Sequence, residues 1–281
     1  MGEATATRST WLGGSVPASG TRLVSLVPSL TLAVFELGAG PSLVGRTRFC
    51  VEPRPEVDRV PVVGGTKNVH VGEVLALAPD VVLANREENV RKRVEAIARR
   101  VPVWLSDPRG PEDVPSLWRE LGEICGARAA GERRAVAVEA ALRRAGESAP
   151  DERPGFVYWV WRDPWMAAGH DTYISRLLSA AGWRNALPAG MDRYPRLEPV
   201  DALALASDAM LFPDEPYAFS LPGDLDAFGP PVSDAGGVRR VEGVAAVEVD
   251  GRAFGWYPSR TVDGLERAAA LRERVGRRAA R

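Results

Sequence analysis

Aromatic rings and fixed charges gather at a few places in this sequence of 281 residues. Arg48 and Phe49 follow the run SLVGRT, Asn85, Glu87, Glu88 and Asn89 share the segment ANREEN, and Tyr217 and Phe219 follow LFPDEP. Trp159, Trp161, Arg162 and Trp165 fall in YWVWRDPW, and Trp256, Tyr257 and Arg260 in FGWYPSR. Such groups suit the binding of a large flat molecule. Rings stack on its face, and guanidinium forks pair with carboxylates or phosphate at its rim. Bond-making chemistry finds little support. Glu87 and Glu88 are adjacent, so they cannot flank a bond as two opposed carboxylates. Ser25 and Ser29 lack the Gly-x-Ser-x-Gly elbow, and VGGTKN at 63–68 lacks the spacing of a phosphate loop. Its glycines instead permit a strand and a loop to approach closely.

A resident metal is not expected. His70 and His170 are the only histidines, and neither has a second histidine at ligand spacing or a cysteine beside it. His170, just after WRDPW and next to Asp171, is the better placed of the two. Cys50 and Cys125 stand far apart and read as reduced thiols, with Cys50 packing in a loop. Trp104 and Trp118, within a strand and on a helix face, read as core.

These groups need a scaffold, and the apolar pattern supplies one. Segments 22–29, 42–49, the VVLA of 71–89 and the VPVWLS of 93–108 read as strands; helices lie between them. Strands alternating with helices predict parallel sheets covered by helices. This lobe covers 21–110. Residues 111–149 hold no strand pattern; 111–126 is one helix, and 127–149, rich in Ala, Glu and Arg, is a second. The second, at ~1.5 Å per residue, runs roughly 30 Å and can act as a rigid spine. After a Pro/Gly break the rhythm restarts, so 150–281 is a second α/β lobe with a closing helix over 261–281. There 156–161 is a strand, 171–183 a helix, and 244–256 ends the strand set. The halves echo each other: EVLALAPDVVLANREEN at 73–89 against DALALASDAMLFPDEPY at 201–217. In open α/β sheets ligands bind beyond the carboxyl ends of the strands, so two such lobes predict a cleft lined by the residues named above.

The net charge of −1 gives no general attraction to nucleic acid or anionic membranes. No run reaches the ~20 apolar residues of a membrane helix. Residues 1–20 read as a disordered tail without the apolar core of a signal peptide or a cysteine for a lipid, which predicts a cytoplasmic protein; a monomer is expected.

Six segments in order, SLVPSLT (25–31), VGRTRFC (44–50), VGGTKN (63–68), LAPDVVLANREEN (77–89), WRDPWMAAGHDTYI (161–174) and FGWYPSR (254–260), resemble the cobalamin and iron-siderophore receptors of ABC importers, the class III or helical-backbone substrate-binding proteins. The resemblance covers about residues 21–262. It implies two Rossmann-like lobes bridged by one helix, no catalysis and no cofactor, a cobalamin or related metal chelate (corrinoid, haem or ferric siderophore) as ligand, and an ABC permease as partner. It also implies an acidic docking residue on each lobe. Here the first position reads Val90, Arg91, Lys92, Arg93, while Asp214 or Glu215 could serve in the second. Two other functions compete: a cytoplasmic corrinoid or metal-chelate sensor or carrier, and a chelatase-like enzyme built on His170 and Asp171.

Overall fold

The computed structural model describes residues 8–14, 22–221, 223–233 and 239–276. These form two compact units. Unit 1 holds the described residues up to Pro108, then Glu112–Glu139 and the short return Trp256–Ser259; unit 2 holds Arg109–Pro111, Ala140–Gly255 and the chain from Arg260.

Unit 1 is built from β1 (Ser9–Leu12), β2 (Leu23–Ser25), α1 (Pro28–Glu36), β3 (Leu43–Arg46), α2 (Val71–Ala76), β4 (Val81–Asn85), α3 (Arg91–Ala98), β5 (Val103–Ser106), α4 (Val114–Ile124) and the start of α5 (Arg128–Glu147). Its sheet runs β1-β5-β4-β2-β3. Strands β2 to β5 are parallel, and every residue of β4 is buried, as a central strand covered on both faces requires. Strand β1 departs from expectation: it pairs antiparallel with β5, where residues 1–20 read as a disordered tail. The reason is a contact distant in sequence. Ser9 Oγ donates to Glu120, whose same oxygen accepts from Trp104 Nε1 at 2.7 Å, so one carboxylate fixes both strands. The remainder of that segment, 1–7 and 15–20, lies outside the described residues. Helix α1 begins at Pro28, inside the segment 22–29 read as a strand, because proline at the first helical position gives up an N–H that has no helical partner.

Unit 2 follows with β6 (Gly155–Arg162), β7 (Trp165–Ala167), α6 (Tyr173–Ala180), β8 (Arg184–Asn185), α7 (Pro199–Leu203), β9 (Ala209–Pro213), β10 (Val232–Ser233), β11 (Arg239–Val241), β12 (Val244–Val249), α8 (Gly251–Gly255) and α9 (Thr261–Gly276). The path is β10-β11-β12-β9-β6-β7, with β8 also on β6. Strands β12, β9, β6 and β8 are parallel, whereas β7, β10 and β11 pair antiparallel. Both sheets are therefore mixed rather than wholly parallel. Residues 250–256, read as the end of a strand, turn into α8 because Asp250 Oδ1 accepts from the N–H groups of Arg252 (3.1 Å) and Ala253 (3.3 Å) and caps a helix. The division between units falls inside α5, between Glu139 and Ala140, rather than at the ends of a separate helical segment.

The echoed segments fold alike. Asp80 Oδ2 accepts from Arg22 N–H at 2.7 Å, while Asp80 N–H donates to Arg22 O at 2.9 Å. Asp208 repeats this on Gly155, at 2.6 and 2.8 Å. Each aspartate thus locks the amino end of one parallel strand to the entry of its neighbour.

Candidate functional site

At the carboxyl edge of the unit 1 sheet, the loops after β3 and β4 are laced to residues 63–68. Arg48 N–H donates to Gly64 O at 2.9 Å, Asn89 Nδ2 to Thr66 O at 3.0 Å and Lys67 Nζ to Glu87 O at 2.6 Å. The glycine pair is needed here. Gly64 has φ +105°, and a Cβ on Gly65 would stand 2.3 Å from Asn68 Oδ1 and 3.1 Å from the Phe49 ring. Arg48 and Phe49 are exposed on this edge, Phe49 at 55%. Glu88 is half-buried.

Asn85, at the end of β4, is a buried hub. Its Nδ2 donates to Ser106 O, Ser106 Oγ and Tyr257 Oη at 3.2, 3.0 and 3.1 Å, and its Oδ1 accepts from Glu87 and Glu88 N–H at 3.0 and 3.1 Å. Asn89 is equally occupied: Oδ1 accepts from Asn85 N–H at 2.9 Å, and Nδ2 donates to Leu26 O and Thr66 O. Buried amides satisfied on every side hold loops rather than ligands. Asn89 is therefore corrected from a binding residue to a structural one. Tyr257 is buried too, with its hydroxyl on Asn85; its neighbours Trp256 and Arg260 are half-buried.

The carboxyl edge of the unit 2 sheet is aromatic. WRDPW forms the β6–β7 hairpin. Trp159 and Phe219 lie in the core of this unit, among Phe212, Leu225 and Phe228, so neither is a cleft ring. Trp165, half-buried, packs its face on Phe219 (centroids 5.8 Å, 21°) and its edge on Trp159 (4.9 Å). Above this layer Trp161 is 41% exposed and meets half-buried Tyr217 edge-on at 5.6 Å. Arg162 lies over Trp165 at 5.8 Å and donates to the buried Asp224 carboxylate. Its hydrogen bond to Tyr217, then Asp224, raises the guanidinium pKa above its ordinary value. The register explains the split: the pairing of β6 with β7 is irregular between Trp159, opposite Ala167, and Trp161, opposite Met166, so the alternation that buries Val157 and Trp159 does not carry on to Trp161. Lys67 and Asp224 were not singled out by sequence. The Gly64–Gly65 pair was the only signal pointing toward the first, and nothing local pointed to the second.

The histidines are engaged singly. His170 Nε2 donates to Leu187 O at 2.8 Å, and His70 Nδ1 faces Glu73 at 3.0 Å. Among the described residues there is no group of three His, Cys, Asp or Glu side chains able to hold a metal. Asp171, beside His170 in sequence, pairs with Arg109 (3.0 Å) and Arg176 (2.8 Å). Both cysteines are free, and burial raises both thiols, Cys125 to about 12. Of the docking candidates, Asp214 Oδ1 accepts from Gly251 N–H at 2.8 Å and Glu215 pairs with Arg252 at 3.2 Å, while Arg91 pairs with Glu95 at 2.6 Å. No helix of the described residues is long and apolar enough to cross a membrane.

Residues 23–215 match the family described as periplasmic binding protein. A vitamin B12-binding protein of Pectobacterium carotovorum subsp. carotovorum is 24% identical over 199 residues, 69% of this chain and 72% of that one. An uncharacterized ABC transporter substrate-binding lipoprotein of Bacillus subtilis is 30% identical over 175 residues, 59% of this chain and 55% of that one. Among solved structures, a periplasmic heme-binding protein from Pseudomonas aeruginosa shares the fold with a TM-score of 0.73 at 23% identity, covering 90% of this chain and 92% of its own. The family is described as periplasmic, the Pseudomonas protein is named periplasmic and the Bacillus one a lipoprotein, which overturns the cytoplasmic expectation. That expectation rested on what residues 1–20 lack, and such a lack does not place a protein. A cytoplasmic sensor or carrier falls with it. The family match spans most of the chain, and the two-unit α/β fold agrees with it: the chain belongs to the periplasmic binding protein family.

Proposed function

We propose that this chain is the substrate-binding component of an ABC importer, and that its ligand is cobalamin or another metal chelate such as haem or a ferric siderophore. The observation that carries this reading is the Trp161–Tyr217 pair. Two rings stay open to solvent on top of a packed aromatic layer, with Arg162 fixed alongside. Leaving a tryptophan 41% exposed forgoes apolar burial, and a rigid, partly exposed ring suits the face of a macrocycle. On unit 1, Arg48 and Phe49 are the contact residues, with Glu88 beside them. Trp256 and Arg260 add to the set, and Trp165 serves as the wall behind Trp161. Binding, with no catalytic step, is the whole activity. The names of the relatives support the ligand class.

The test is a titration of the purified protein, followed by tryptophan fluorescence, with cyanocobalamin, haemin and a ferric hydroxamate siderophore. At least one gives saturable quenching, weakened in Trp161→Ala. Failure of all three to bind at high micromolar concentration would defeat the ligand assignment.

A further inference from the structure

The two sheets each present an arginine at the carboxyl edge, and their surroundings differ. In unit 2, Arg162 donates to Asp224, whose carboxylate is 5% exposed and is itself held by Ser220 N–H at 2.7 Å. An anion arriving there meets a charge already cancelled by a fixed, buried partner. In unit 1, Arg48 is exposed, and among the described residues no carboxylate pairs with it. Its backbone is tied to Gly64, and its Nε lies 3.5 Å from where a Gly65 Cβ would stand, with the Phe49 ring at 3.1 Å from the same point. Lys67, two residues along the same loop, gives its Nζ to the neutral carbonyl of Glu87 rather than to an acid. Glu87 and Glu88, on the adjoining loop, hold other contacts within the protein. A planar fork with free donors, positioned by a laced loop and flanked by a second cation, is built to receive two oxygens of one anionic group.

We infer that Arg48 receives an anionic oxygen group of the ligand, a carboxylate or a phosphate, that Arg162 is a positioning residue for Tyr217 and Trp165, and that chelates with an acidic rim are preferred over neutral ones. This rests on the metal-chelate reading above.

Two pairs of probes test it: haemin against its dimethyl ester, and cyanocobalamin against dicyanocobinamide, which lacks the phosphate together with the rest of the nucleotide loop, so that dependence of the preference on Arg48 isolates the phosphate. The wild-type protein prefers the anionic member of at least one pair by about tenfold, the worth of one charge-assisted contact. The haemin pair reports a carboxylate, the corrinoid pair a phosphate. Arg48→Gln removes the preference by weakening the acidic member far more than its neutral partner, Arg48→Lys keeps part of it, and Arg162→Gln weakens both members alike. Binding without preference in the wild type, or a preference that survives Arg48→Gln, would overturn the role of Arg48 and leave the chelate reading standing. No binding by any of the four probes, nor by the ferric hydroxamate siderophore, would overturn that reading and the role of Arg48 with it.

Discussion

Residues 73–89 and 201–217 are two copies of one local design, and they agree at one end and part at the other. At the amino ends of β4 and β9, Asp80 and Asp208 make the same two-way lock on Arg22 and Gly155. Arginines also dock on matching carbonyls after the preceding helix, Arg22 on Ala78 O at 3.1 Å and Arg184 on Ala206 O at 2.7 Å. At the carboxyl ends the copies diverge. Asn85 stands where Pro213 stands in the other, and Asn89 where Tyr217 does. One edge is a satisfied amide network with, at its rim, a cation that no carboxylate among the described residues pairs; the other is an aromatic surface with its cation paired. The amino ends carry the architecture, so they stay alike. The carboxyl ends face the ligand in this class of sheet, so they are free to differ.

The largest effect should come from the residue that most separates the edges. Asn85→Ala deletes contacts to Ser106, Tyr257, Glu87 and Glu88 and should cost about 3 kcal/mol, through several buried groups left without partners. Pro213→Ala, at the matching position, has no such network to lose. Urea unfolding of both variants measures the gap; equal losses would show that the edges differ in shape but not in energy.

Next in size are the shared locks. Asp80→Ala and Asp208→Ala should each cost about 2 kcal/mol, because each removes a carboxylate accepting from a strand N–H. Similar losses would sharpen the likeness of the amino ends, and a twofold disparity would break it.

The sequence disclosed this architecture better than it disclosed the edges. The echo itself, the alternation of strands with helices and the helix over 128–147 are periodic features that repeat over many residues, so they survive single ambiguous positions. The aromatic residues of the hairpin were legible as a group, but not individually. Trp159 and Trp161 differ by two positions; only the irregular pairing of β6 with β7 between them, which no local pattern announces, makes one core and the other surface. Asn89 looked like a loop group offered to a ligand, and only the partners supplied by Leu26, Thr66 and Asn85, up to 63 residues away, show it to be occupied. Strand β1 was illegible for the same reason, since its anchor, Glu120, is 111 residues from Ser9.

Trp161→Ala ranks third. It should lower ligand affinity about tenfold through lost stacking and apolar contact. Stability should change by no more than about 0.5 kcal/mol, since the ring is 41% exposed. A matching loss of stability would mean that Trp161 belongs to the aromatic core beneath it, and the contrast between a working surface and its support would collapse.

The smallest effect separates the units without any ligand. Cys50 and Cys125 both lie in unit 1. Burial holds both thiols above their ordinary pKa, Cys125 at about 12. The unfolded thiol ionises near ~8.5, so between that value and about 12 unfolding releases a proton, and stability falls as pH rises through this window. Cys125→Ala should flatten that fall, as followed by urea unfolding at pH 7 and pH 10. The same thiols report which unit opens. In dilute urea at pH 8, labelling by a thiol reagent should quicken in Asp80→Ala, whose lock is in unit 1, and stay at the wild-type rate in Asp208→Ala, whose lock is in unit 2. Equal acceleration in both would mean that the two units unfold as one, and the separate treatment of their amino-end locks would have to be abandoned.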